Sequence, residues 1–96
     1  MRVADRFPRV LAVLSTDWDT SAGWALRSLV WSLYNGKNSV PLWHAITDLD
    51  DGLRAEFCAL LAEGLEAQAG LIKHLLDESG EMIRRDTVPL QWDDDG

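Results

Sequence analysis

The stretch Trp24-Ala25-Leu26-Arg27-Ser28-Leu29-Val30-Trp31-Ser32-Leu33-Tyr34-Asn35-Gly36 decides how this chain folds. At about 100° per residue, Ala22, Ala25, Leu26, Leu29, Val30 and Leu33 fall on one side of a helix. Trp24 and Trp31 fall close to the opposite side, stacked along the axis, with Arg27 and Tyr34 flanking them. Asp19 or Thr20 is placed to cap its start, and Gly36 to end it as a C′ glycine. A helix that is apolar on both sides is either sandwiched inside the domain or open to a partner on one side.

Upstream, residues 7–15 form a shorter helix, with Pro8 in its first turn, where a missing N–H costs nothing. Downstream, residues 37–41 are a loop and residues 41–46 a short turn or helix. Asp50 is the N-cap of the next helix. In that element Leu53, Phe57, Leu60, Leu61, Leu71 and Leu75 keep one stripe in phase, with Leu65 and Ile72 at its edge. Glu56, Glu63, Glu66, Asp77 and Glu81 fall on the reverse side. The phase survives Gly64 and Gly70, so the pattern favours one helix over residues 51–78, although each glycine costs roughly 1 kcal/mol relative to alanine and a break near Gly70 stays open. Gln68 lies on its apolar face, where it would satisfy a buried backbone group or mark an oligomeric contact. Gly80 is the expected terminator. Val88, Leu90 and Trp92 alternate as an extended segment would. The expected fold is all-α. It is a small bundle of three to four helices over residues 1–85, with the second helix and the 51–78 helix as its antiparallel centre. An extended acidic tail, residues 86–96, follows.

The totals narrow the function. Ninety-six residues make one domain with a modest core. No apolar run approaches the ~20 residues of a bilayer span, and residues 1–14 do not read as a signal peptide. One cysteine, Cys58, permits no internal disulfide, so a cytoplasmic location is the expectation. Net charge is −7, with five basic against three acidic residues in 1–40 and four against thirteen in 41–96. The acidic half repels a duplex and suits a basic protein surface.

Known chemical sites are not legible. Cys58, His44 and His74 lack metal-ligand spacing. Asp48-Leu49-Asp50-Asp51-Gly52 resembles the start of a calcium loop, but its glycine is one place early and the twelfth position is Ala59. Residues 64–70 lack the Lys-Ser/Thr of a phosphate loop. Cys58 borders the apolar stripe, which predicts a buried, inert thiol rather than a nucleophile. No enzyme activity, cofactor or metal is expected.

Leu33-Tyr34-Asn35-Gly36, then Leu42, then Thr47-Asp48-Leu49-Asp50 resemble a pattern in short uncharacterised bacterial proteins of plasmids, integrated elements and phages, over about residues 22–65. The stretch Val40-Pro41-Leu42-Trp43-His44-Ala45 departs from that pattern. The resemblance implies an accessory protein of a mobile element and carries no activity with it.

Five tryptophans, Trp18, Trp24, Trp31, Trp43 and Trp92, are many for this length, and tryptophan dominates binding hot spots. The expectation is a non-enzymatic protein-binding module. Trp24, Trp31, Arg27, Tyr34, Trp43 and Trp92 would form its aromatic surface, or residues 88–92 of the same chain or of a second copy would cover Trp24 and Trp31; the core reading, in which tryptophans fill the interior of a domain with few phenylalanines, stands beside it. Glu56, Glu63 and Glu66 would imitate phosphates toward a nucleic-acid-binding protein, as some anti-restriction and anti-CRISPR proteins do. The alternatives are a homodimer with a self-complementary Trp24/Trp31 face, and a helix-turn-helix DNA binder using Arg2, Arg6, Arg9, Arg27 and Lys37.

Overall fold

The computed structural model describes residues 3–35, 42–67 and 69–88, and every regular element among them is helical. These are α1 (Val3–Arg6), α2 (Pro8–Thr16), α3 (Ser21–Asn35), α4 (Leu42–Thr47), α5 (Asp51–Ala67), α6 (Ala69–Ser79) and α7 (Glu81–Arg84). The all-α expectation holds, but the count of three to four does not. Two single-turn helices, α1 and α7, were not legible; the segment expected as one helix over 51–78 is helical as α5 and α6 on either side of residue 68, which lies outside the described residues. Leu53, Phe57 and Leu60 of α5 and Ile72, Leu75 and Leu76 of α6 are all buried in the core.

Local chemistry sets the helix ends. Pro8 opens α2, but Phe7 gives no side-chain cap. The Glu56 carboxylate of α5 takes that place, accepting the Val10 N–H at 2.7 Å at the positive end of α2. Thr20 caps α3, its Oγ1 accepting the Gly23 N–H at 3.0 Å. A Cβ on Gly23 would stand 2.1 Å from the Asp17 carbonyl oxygen and 2.6 Å from Trp18 backbone atoms, so the 17–20 turn closes onto α3 only over a glycine. Asp50 caps α5 through the Leu53 N–H at 2.8 Å. Gly80, at φ 84°, ends α6 in the left-handed region and turns the chain into α7.

α3 is the central element. From Ala25 to Trp31 every residue is buried. It packs on α2, α4 and α6, while α5 packs on α2 and α6. The centre therefore pairs α3 with α6 and α2, rather than with the whole of the 51–78 segment. Phe7, Val10 and Leu14 meet Leu26, Leu29 and Val30 in one apolar cluster with Phe57, Leu60, Leu75 and Leu76. Each such side chain contributes about 1.5–3 kcal/mol on removal from water. Residues 85–87 form turns and Val88 a bend, so the described beginning of the expected extended tail is not extended. The expected terminator Gly36, the loop 37–41, Gln68 and residues 89–96 lie outside the described residues.

Candidate functional site

Arg27 and Trp31 stand one helical turn apart on α3, so their N–H donors converge on the same point. That point is the carboxylate of Glu81, the first residue of α7. Its Oε1 accepts Arg27 Nε at 2.7 Å and Trp31 Nε1 at 3.0 Å, and its Oε2 pairs with Arg84 Nη1. The Arg27 and Glu81 side chains are both 0% exposed. Arg27 Nη2 also donates to the Val88 carbonyl at 2.7 Å, which ties the 85–88 turn to α3. Arg84 Nη1 reaches back to the Leu14 carbonyl at 2.7 Å, at the end of α2.

Aromatic rings enclose these charges. The Arg27 guanidinium lies 5.1 Å from the centroid of Trp24 and 5.8 Å from that of Trp18, and Arg84 lies 5.0 Å from Trp18. Trp18 and Trp24 meet edge to face at 6.3 Å. Trp31 meets Tyr34 likewise at 5.7 Å, with Arg85 5.9 Å from its ring. A carboxylate whose two oxygens take three internal donors is occupied by the protein itself. This arrangement joins α7 to the middle of α3 and to the last turn of α2.

The structure thus draws Trp24, Arg27, Trp31 and Tyr34 together but turns them inward. Trp31 is 6% exposed, and Trp24 and Tyr34 are half-buried. The chain's own α7 and the turn through Val88 lie against this face, and residues 89–92, the rest of the expected cover, lie outside the described residues. Glu81 is corrected from the outer acidic side of the long helix to the interior. Glu56, 12% exposed, caps α2, and Glu63 pairs with Arg6, so both carboxylates are turned to the N-terminal helices. The Glu66 side chain and Trp92 lie outside the described residues. Cys58, expected to be buried, is exposed, because Phe57 and Leu60 take the inward positions of α5 around it.

Trp43 behaves differently. Ala45 anchors α4 in the core, which leaves Leu42 55% and Trp43 81% exposed. The connection to α5 then exposes Asp48, Asp50 and Asp51. Sequence reasoning marked Trp43 and missed the Arg27–Glu81 pair. Its one signal was an arginine set among apolar residues of a helix, since a charge in such a place is buried only with a partner. Among the described residues no group of three His, Cys, Asp or Glu side chains converges as a metal site would require. No described helix is long and apolar enough to cross a membrane. Compared with protein families, curated proteins and solved structures, the chain matches none.

Proposed function

We propose that this chain is a non-enzymatic protein-binding module that docks through α4. The carrying observation is the adjacent pair Leu42 and Trp43, both large, apolar and open to solvent on a helix anchored by Ala45. An indole left in water on a short, fixed helix suits a binding anchor, because its rotamers are few and its burial by a partner is favourable. Trp31 is buried and Trp24 and Tyr34 are half-buried, so among the described aromatic residues named from the sequence Trp43 is the exposed one, which supports α4 as the docking element. The mobile-element resemblance makes an accessory or inhibitory factor the biological setting of this reading. A helix-turn-helix role is disfavoured, since α3 is covered on all sides from Ala25 to Trp31 and has no face for a groove.

The test is affinity capture from lysate of the native host with wild type and Trp43→Ala, read by mass spectrometry. Circular dichroism would verify that both are folded. A protein retained by wild type and lost with Trp43→Ala is the expected result. Identical captured sets would refute docking through α4.

A further inference from the structure

The charge around the exposed indole narrows the chemistry of its partner, given the α4 docking reading. Asp48, Asp50 and Asp51 follow Trp43 within eight residues, and all are exposed. Asp50 Oδ1 is engaged as the α5 cap. The Asp51 carboxylate is wholly exposed, 3.8 Å from Arg54 Nη1. Among the described residues, no cation lies within ion-pair reach of Asp48. Arg54 turns its other nitrogens inward, with Nη2 donating to the Leu49 carbonyl at 2.9 Å and Nε to that of Ile46. Among the described residues, the side chains that follow Trp43 up to α5 therefore carry more negative than positive charge, with Arg54 paired to Asp51. The indole face adds a quadrupole that also favours cations.

We infer that the occupant of α4 is a cationic protein segment: an apolar anchor that lies on Leu42 and Trp43, with lysines or arginines that meet Asp48 and Asp51. Charge complementarity separates this occupant from the others. A nucleic acid would bring phosphates against three carboxylates. A second copy docked by the same patch would bring those carboxylates against their own kind, since a twofold contact joins like to like. The patch is small, which puts the contact in the weak, transient class.

The experiment uses the full chain labelled with ¹⁵N and three amphipathic probe peptides with the same leucine spacing, whose polar positions are all lysine, all glutamine or all glutamate. Amide and indole shifts of residues 42–51 report where each peptide binds. The lysine peptide should perturb the Trp43 indole and its neighbours. Its affinity should fall roughly fivefold or more with Asp48→Asn/Asp51→Asn, and again on raising salt from about 50 to about 300 mM. Equal binding of the lysine and glutamine peptides at Trp43 would overturn the cationic inference and leave α4 as a docking site. Failure of all three to touch residues 42–51 would overturn both. Concentration-dependent dimerisation of the free chain that Trp43→Ala abolishes would make a second copy the occupant and also overturn the inference.

Discussion

Replacing Glu81 by alanine should be among the costliest single changes in the protein. The substitution removes the acceptor of Arg27 Nε and Trp31 Nε1 and the partner of Arg84. It leaves the Arg27 charge inside, at 0% exposure. Deleting one member of a buried ion pair costs about 3–5 kcal/mol, because the other charge stays desolvated. An indole N–H left without a partner adds about 1–3 kcal/mol. Part of this is offset. Arg27 keeps the Val88 carbonyl and the Trp24 and Trp18 rings, and such ring contacts are worth about 0.5–2 kcal/mol. A net loss of about 4 kcal/mol is a large share of the 5–15 kcal/mol typical of a domain, and it lowers Tm by roughly 15–30 °C at this size. Glu81→Gln keeps an acceptor and nearly the same volume, and should lose less, about 1–3 kcal/mol. The assay is urea unfolding followed by tryptophan fluorescence and far-ultraviolet dichroism, on Glu81→Ala, Glu81→Gln, Arg27→Met and the Arg27→Met/Glu81→Ala double variant. The double variant should lose less than the sum of its singles by at least ~1 kcal/mol, since its two sites share one interaction. A Glu81→Ala loss below ~1 kcal/mol would refute the buried clamp. So would singles that add within ~0.5 kcal/mol, the tolerance seen for independent sites.

Gly23→Ala should destabilise by roughly 1–3 kcal/mol or more, because its Cβ would collide with the Asp17 carbonyl and Trp18 backbone rather than with a movable side chain. A neutral result in denaturant titration would contradict the closeness of the 17–20 turn. Cys58 should react with a thiol reagent in the native protein at the rate of an accessible cysteine. Reaction only after denaturant is added would show it to be internal. The hydrogen bond from Lys73 to Asp77, together with attraction to the same carboxylate, raises the Lys73 pKa above 10.5. A raised folded-state value makes the pair's contribution present below 10.5 and lost as pH climbs through the higher folded pKa. Asp77→Asn should return the Lys73 titration, read by NMR, to the ordinary lysine range; an unchanged midpoint would disprove the pairing.

Much of the fold was readable because its signals are local. Thr20 and Asp50 cap where short polar side chains precede apolar periodicity, and Gly80 turns left-handed where a helix must stop. The leucine side of α3 and the stripe of Leu53, Phe57 and Leu60 are buried, as a 3.6-residue period requires. Gly64 and Gly70 leave the phase of the 51–78 segment intact while lowering helix stability, and the described residues on both sides of position 68 are helical, as that phase requires. α1 and α7 are single turns, too short for any period to show.

The sequence by itself determined the helical class, most helix starts and the inward side of each main helix, all consequences of contacts within a few residues. Only the tertiary structure decided what the tryptophan side of α3 meets. Glu81 is fifty-four residues from Arg27 and fifty from Trp31, and no local rule links such positions. A charged residue on a helix surface and a charged residue in a core look alike in sequence, because the difference is the presence of a partner across space. The same holds for the indoles: Trp31 is sealed by α7 while Trp43 stands open on α4, and what divides them is which elements pack over each, not the residue type.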